Sequence, residues 1–170
     1  MTQANGAPRA GISFRRVIPA DWAQLRRARL TALADAPYAF ASTLQREQEF
    51  TEQTWRSRTQ TSAVFAAWAD GEIAGLASAR FADDDGGWHI LGMWVSPALR
   101  GRGVADRLLR DACEHARREG AASITLWVTE MNDRARAFYR RLGFVPTGTR
   151  QLVRPDEPDH WEEELTRTLG

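Results

Sequence analysis

Lysine is absent from this 170-residue sequence, so all 23 basic residues are arginine. A chain without lysine cannot contain a Walker-A phosphate loop, a pyridoxal Schiff base or a lysine general base. The 23 positive charges face 22 acidic residues and leave a net charge of +1. Dedicated nucleic-acid-binding domains usually carry a strong basic excess. This balance therefore argues against a nucleic-acid partner.

Cysteine and histidine are also scarce. Cys113 stands alone, which excludes an intramolecular disulfide and is typical of a reducing compartment. His89, His115 and His160 show no metal-motif spacing, so we expect no metal cofactor. No apolar run reaches the ~18 residues of a membrane span, and the first residues lack the blocks of a signal peptide. These features predict a cytoplasmic protein without a membrane partner, acting as a monomer or homodimer.

The overall composition is that of a globular domain, with 43% hydrophobic and 26% charged residues. A chain of this length supports one compact core. Residues 1–11 are small and polar and are predicted to be disordered. Residues 12–170 are predicted to form a single domain.

Hydrophobic periodicity predicts an α/β (α+β) order. A short strand precedes a helix that begins near Trp22, with Asp21 as its expected cap, and a second, polar helix is predicted over 44–58. The remaining elements are three hairpin-connected strands within 63–95, a helix over 104–120, a strand over 123–128, a helix over 133–142, and strands over 145–153 and 160–169. This order predicts a mixed, mostly antiparallel sheet with one strand-helix-strand crossover.

A glycine-bearing loop leads directly into the helix that begins at Val104. Gly101 and Gly103 would allow the backbone to approach a ligand closely. The first amides of a helix lack intrahelical partners and lie at the positive end of its dipole, which suits a phosphate or pyrophosphate. Arg100 and Arg102 either add charge at the rim or are simply solvated. The alternative interpretation of the loop is an ordinary helix-entry turn.

Two segments resemble the GNAT N-acetyltransferase superfamily. Arg100-x-x-Gly103-x-Ala105 is similar to the Q/R-x-x-G-x-G/A signature, which binds the pyrophosphate of acetyl-coenzyme A (acetyl-CoA). Asn132 and the stretch 135–144 resemble the N-x-x-A-x-x-F/L-Y-x-x-x-G-F segment, in the same order. The resemblance spans about 12–169 in element order, with its specific motifs within 88–144. It implies a GNAT-like domain whose central sheet is flanked by helices and whose strands splay at the coenzyme site.

The resemblance also implies roles for individual residues. Backbone groups of the strand before the loop would bind pantetheine and polarise the thioester carbonyl. Tyr139 would be the general acid for the departing thiolate, and Asn132 would either reach the coenzyme arm or merely cap the helix that follows. The residues expected to bind the coenzyme are Met93, Trp94, Val95, Arg100, Gly101, Arg102, Gly103, Val104, Ala105, Asp106 and Asn132.

The general base departs from the family pattern. Members that acetylate protein N-termini commonly place a Glu on the strand after the coenzyme helix, where this chain has Trp127. Histone-type members place a Glu eleven residues before the signature, where this chain has His89. A neutral imidazole can deprotonate an ammonium through water. His89 is therefore the candidate base, and the alternative is a half-exposed strand histidine.

The implied reaction is acetyl transfer from acetyl-CoA, as co-substrate, to a primary amine of a small molecule or peptide by direct attack. Cys113 has no histidine spaced to activate it, so no covalent intermediate is expected. Two alternatives stay open: a catalytically silent acyl-CoA-binding module, and toxin-like acetylation of aminoacyl-tRNA.

In this family the acceptor usually enters on the side opposite the coenzyme. The corresponding segments here are 38–55 and 154–159, and aromatic residues lie among their acids. An acidic and aromatic wall suits a cationic amine on an apolar body. The acids of the predicted wall are Glu47, Glu49, Glu52, Asp156, Glu157 and Asp159.

Overall fold

The computed structural model describes residues 11–83 and 86–170, so the predicted disordered start lies, apart from Gly11, outside the described residues. Within them, one seven-stranded sheet has the order β1-β2-β3-β4-β5-β7-β6. The strands are β1 (Ser13–Arg16), β2 (Ala63–Ala69), β3 (Glu72–Ala82), β4 (Gly87–Val95), β5 (Ser123–Thr129), β6 (Val145–Leu152) and β7 (Trp161–Thr168). The helices are α1 (Trp22–Asp35), α2 (Leu44–Gln48), α3 (Glu52–Thr61), α4 (Val104–Arg118) and α5 (Asp133–Arg141).

The two faces of the sheet are covered by different helices. Alternate residues of β2 point to opposite faces, and Ala67 packs in a cluster with α4 and α5 whereas Ala66 packs in a cluster with α1 and α3. The apolar stripe of α4 supplies Leu108 and Leu109 to the first cluster, and α3 supplies the buried Trp55 to the second. Across residues 11–83 and 86–170, no helix has the length and apolar character needed to cross a membrane.

Two local predictions on the first half of the chain are wrong. The predicted helix over 44–58 is divided into α2 and α3, because the Thr51 hydroxyl accepts a hydrogen bond from the Thr54 amide (3.2 Å) and starts a new helix. Asp21 does not cap α1 with its side chain. Its carboxylate instead accepts hydrogen bonds from Arg15 and from the Ile18 amide.

The crossover β4-α4-β5 creates an opening in the sheet. His89 and Thr125 form the one β4–β5 pair in the described residues, and beyond it the two parallel strands separate. A bulge in β4 lies between the pairs Ser78–Leu91 and Leu76–Trp94, with Gly92 at φ +63°. The predicted splay is thus present, and it leaves the end of β4 without a pairing partner in β5.

Candidate active site

A cavity of about 440 Å³ lies where β4 and β5 separate. Its walls come from the end of β4, the loop before α4, the first turn of α4, one face of α5 and the segment after α1. Every site residue predicted from the sequence lines this cavity except Arg102 and His89. Arg102 is exposed. The structure therefore brings the two family segments together around one space.

The glycines of the loop have backbone conformations that side chains disfavour. Gly101 and Gly103 both have φ +75°, and Gly103 is the residue that caps the N-terminus of α4. A Cβ atom built at either glycine meets no other atom within 4 Å, so both face open space. The amides of the first turn of α4 are free of intrahelical partners by the geometry of a helix start. Glycine conformation and helix N-terminus together suit a bound pyrophosphate.

Arg100 is exposed, but its guanidinium is held by two protein groups. Its Nε donates to the carbonyl of Val95 (2.9 Å), and its guanidinium pairs with Asp35 at the end of α1. Asp35 also accepts a hydrogen bond from the indole Nε1 of Trp94 (3.0 Å). The hydrogen bonds from Trp94 and Arg100 hold the pKa of Asp35 below its usual value. Arg100 therefore fixes the loop to β4 and α1.

Tyr139 lies on α5 with 7% of its surface exposed, and it lines the cavity. Its ring packs edge-on against Phe138 and Phe144, with centroids 5.2 and 5.8 Å away. Burial raises the pKa of the phenol above its ordinary value. The hydroxyl is therefore protonated at neutral pH.

Asn132 has the capping role that was one of its two predicted roles. Its Oδ1 accepts a hydrogen bond from the Ala135 amide (3.0 Å) at the start of α5. Asn132 also lines the cavity. Because the cap uses the oxygen, the cap and a contact from the amide nitrogen to a ligand are compatible.

The structure does not place His89, the predicted base, at the cavity. Its Nδ1 lies 2.8 Å from the Thr125 hydroxyl, at the point where β4 and β5 are still paired. His89 lines neither this cavity nor the second cavity that adjoins it, and the bulge at Gly92 lies between His89 and Met93.

A second cavity of about 650 Å³ adjoins the first, and Tyr38 lines both. The two acceptor-side segments meet there, since Arg154 Nη1 donates to the carbonyl of Phe40 over 2.8 Å. The loop between β6 and β7 supplies most of the lining, and the segment after α1 and Met131 supply the rest. Three acids of the predicted wall line this cavity: Asp156, Glu157 and Asp159.

The other acids of the predicted wall are not in either cavity lining. Glu47 is fully buried and accepts hydrogen bonds from Arg29 and Arg58, each at 2.9 Å. Burial raises its pKa, but the hydrogen bonds and charges of the two arginines outweigh burial and leave that pKa below its usual value. Glu47 therefore joins α1, α2 and α3, and its assignment to the acceptor wall is wrong.

A polar chain beside the second cavity was not predicted from the sequence. His160 is 7% exposed and lines this cavity. Its Nδ1 lies 2.6 Å from Glu157 Oε2, and its Nε2 lies 2.9 Å from the hydroxyl of Thr129. The Glu-x-x-His spacing is visible in the sequence, but the contact with Thr129 depends on the pairing of β5 with β7.

Cys113 is buried in α4 and lies outside both cavity linings. Burial raises the pKa of its thiol to about 11, which opposes a role as nucleophile. In the part of the chain that the structure describes, no group of three histidine, cysteine or acidic side chains is arranged to hold a metal ion.

Comparison with known proteins agrees with this geometry. The chain is 37% identical to streptothricin acetyltransferase from Streptomyces lavendulae over an aligned stretch of 83 residues. This stretch covers 49% of this chain and 44% of that protein. The chain thus matches less than half the length of this relative.

Two solved structures share the fold. The first is yncA from Salmonella typhimurium with its cofactor acetyl-CoA, which superimposes with a TM-score of 0.76 at 18% identity, over 95% of each chain. The second is PaiA N-acetyltransferase from Thermoplasma acidophilum in complex with coenzyme A, with a TM-score of 0.72 at 14% identity over 93% of this chain and 99% of that one.

The family model described as the acetyltransferase (GNAT) family matches residues 27–144, which include β4, the glycine loop, α4 and the α5 segment with Tyr139. The match covers well over half of the sequence. This chain therefore belongs to the GNAT acetyltransferase family.

Proposed function

We propose that this protein transfers the acetyl group of acetyl-CoA to a primary amine of a small molecule or peptide by direct attack. The observation that carries the proposal is a single cavity lined by the end of β4, the glycine-led start of α4 and the buried Tyr139. Family membership supports acetyl transfer, and the fold neighbours with coenzyme A and acetyl-CoA support the co-substrate.

The residues present fit a pyrophosphate-bearing thioester. The open space in front of Gly101 and Gly103 admits the pyrophosphate close to the backbone, and the first amides of α4 supply its donors. The backbone of Met93, Trp94 and Val95 lies where the separated strands leave edge groups for the pantetheine arm. A backbone donor there would also polarise the thioester carbonyl.

In the proposed reaction the neutral amine attacks the carbonyl carbon of the thioester. The new C–N bond forms, the C–S bond breaks, and the sulfur leaves with the bonding electrons. Tyr139 donates its phenolic proton to that sulfur, and the proton that the attacking nitrogen loses as the amide forms restores the phenol. The buried Cys113 takes no part.

The second cavity favours a cationic acceptor with an apolar or aromatic body. Asp156, Glu157 and Asp159 lower the electrostatic potential at its mouth, although Arg154 pairs with Glu157. The ring of Tyr38, 41% exposed, is available for contact with an ammonium or an apolar body. These features support amines over acidic acceptors.

Release of free thiol from acetyl-CoA, measured over a panel of amines, amino acids, peptides and charged tRNA, tests the proposal. We expect turnover of at least one cationic amine and binding of coenzyme A in calorimetry. Binding of coenzyme A without thiol release for any acceptor would identify a silent acyl-CoA-binding module. Turnover confined to charged tRNA would identify the toxin-like activity.

A further inference from the structure

The charged side chains that line the first cavity are three arginines and two acids. Asp35 pairs with Arg100, and Asp106 pairs with Arg141 over 2.9 Å. Arg134, the third arginine, makes no ion pair or side-chain hydrogen bond with any other residue that the structure describes. Three arginines against two acids leave one positive charge in excess, which favours an anionic ligand.

Arg134, Phe138 and Arg141 form a stripe along α5. Their spacing of four and then three residues places them on one face of the helix, and all three line the first cavity. The two arginines are about 10 Å apart along the helix axis, at about 1.5 Å per residue. The ring of Phe138 lies between them, with its centroid 5.5 Å from Cζ of Arg141. A phosphate group held above this ring can contact both flexible side chains.

Both guanidinium groups of the stripe have donors left for a ligand. Arg141 has 58% of its side chain exposed, and its contact with Asp106 uses Nη2. A guanidinium also donates from Nη1 and Nε, so Arg141 can keep Asp106 and still bind a phosphate oxygen. Arg134 is likewise exposed. Neither arginine therefore has to break an internal contact before it binds a phosphate.

The pairing of Arg141 with Asp106 places the stripe beside the proposed pyrophosphate site. Asp106 lies in the first turn of α4, the turn whose amides are the proposed pyrophosphate donors. Coenzyme A also carries a phosphate monoester, and this group and the pyrophosphate are attached to the same ribose, at its 3′ and 5′ positions. A site for the 3′-phosphate must therefore lie close to the pyrophosphate site, and the stripe on α5 meets this condition.

We propose that Arg134 and Arg141 bind the 3′-phosphate of coenzyme A and make the protein prefer coenzyme A to dephospho-coenzyme A. A phosphate monoester carries about −1.5 to −2 charge at pH 7 and has strong acceptor oxygens. Arginine forms charge-assisted, often bidentate hydrogen bonds with such a group. This inference rests on the proposed use of acetyl-CoA and adds two binding residues to it. The pyrophosphate is left to the glycine loop and the amides of α4.

Calorimetric titration with coenzyme A and with dephospho-coenzyme A tests the inference, at low ionic strength where exposed charges are least screened. The two ligands differ by the 3′-phosphate alone, and neither requires an acceptor amine. The proteins compared are the wild type, Arg134→Gln, Arg141→Gln, the double variant and a control, Arg107→Gln. Arg107 matches Arg141 closely, because it pairs with Asp111 over 2.9 Å and its Cζ lies 5.1 Å from the ring centroid of Phe14. It lines neither cavity.

We expect the wild type and the control to bind coenzyme A at least tenfold more tightly than dephospho-coenzyme A, a difference of about 1.4 kcal/mol. In the double variant the two affinities should agree within about twofold, because the 3′-phosphate has lost its charged donors. Each single variant should show an intermediate ratio. The affinity for dephospho-coenzyme A should change much less than the affinity for coenzyme A.

Both arginines are exposed, so their replacement should leave the fold intact. A role in folding or at the pyrophosphate would lower the affinity for both ligands equally and leave their ratio at the wild-type value. That result in the double variant overturns the inference, and so do equal affinities of the wild type for the two ligands. An unchanged ratio in one single variant excludes that arginine from the site. A wild type that binds neither ligand contradicts the proposed function itself.

Discussion

The indole of Trp94 and the carboxylate of Asp35 are joined by a hydrogen bond in which Nε1 donates to Oδ2 over 3.0 Å. Trp94 belongs to the separated end of β4, whereas Asp35 ends α1 and begins the segment that reaches the acceptor side. Arg100, the first residue of the family signature, pairs with the same carboxylate. One acidic group therefore joins three walls of the first cavity, which is the proposed coenzyme site.

Asp35→Asn should destabilise the protein in a pH-dependent way. The pKa of the Asp35 carboxyl is lower in the folded protein than in the unfolded chain, where it is about 3.9. The charged carboxylate therefore stabilises the fold fully above the unfolded-state pKa, and this stabilisation is lost as the pH falls through the lower folded-state pKa. We expect a loss of about 1 kcal/mol at pH 7, typical of one hydrogen bond, and a smaller loss at acidic pH. Urea denaturation of both proteins at neutral pH and near pH 3.5 measures the difference.

Asp111→Asn is the matched control for this comparison, because Asp111 has the same side-chain exposure, 25%, and pairs with Arg107 on the surface of α4. Surface pairs of this spacing contribute about 0.3–0.5 kcal/mol. A difference between wild type and Asp35→Asn that is constant with pH would show that the charge of Asp35 does not stabilise the fold.

Gly103→Val should weaken coenzyme A binding at least tenfold, about 1.4 kcal/mol. A side chain at Gly103 would project into the open space before α4 that the pyrophosphate is proposed to occupy. Gly120→Val is the matched control, because Gly120 also has a positive φ, +91°, and follows the opposite end of α4. Calorimetry should show reduced affinity in the first variant alone. Equal affinity for coenzyme A in both folded variants would show that the loop is not part of the coenzyme site.

Tyr139→Phe should lower kcat by about 10²-fold, the low end for a general acid, because a thiolate is already a fair leaving group. Coenzyme A affinity should stay within twofold, since the ring packing against Phe138 and Phe144 is retained. Burial raises the pKa of Tyr139, so the ratio of wild-type to variant kcat should be constant from about pH 6 to 9. Full kcat in the variant, with chemistry rate-limiting, would exclude Tyr139 as the acid.

The local sequence pattern was sufficient to predict most of the secondary structure around the proposed coenzyme site. The strand, glycine loop and helix between Trp88 and Ala116 are contiguous in sequence, and their periodicity and turn residues predict each element directly. The structure adds the bulge at Gly92, which no periodicity indicates, and the pairing of Arg100 with Asp35. That pair joins residues 65 positions apart, so its partner could not be read from the signature.

The acceptor side was predicted less well because its contacts are long-range. Glu47 has the sequence context of an exposed helix acid, yet Arg29 and Arg58 from two other helices enclose it. Thr129 and His160 are 31 residues apart and meet because β5 pairs with β7. Residue spacing within one segment contains no information about such encounters between elements.

Asp156→Asn should lower kcat/KM for a cationic acceptor severalfold and should have little effect on a neutral one. The carboxylate lines the second cavity, which is the proposed acceptor site, and its charge is expected to raise the local concentration of cations there. Glu119→Gln, at the C-terminal end of α4 and outside both cavities, removes the same charge from the protein and should change neither rate.

Screening over roughly 8–10 Å at physiological ionic strength predicts that added salt lowers wild-type turnover of cationic amines at limiting concentration. Thiol-release assays across a salt series compare the three proteins. If acidic amino acids or anionic aminosugars are turned over best, and their turnover rises with salt, the predicted preference for cationic acceptors is wrong. Arginines would then recognise the acceptor.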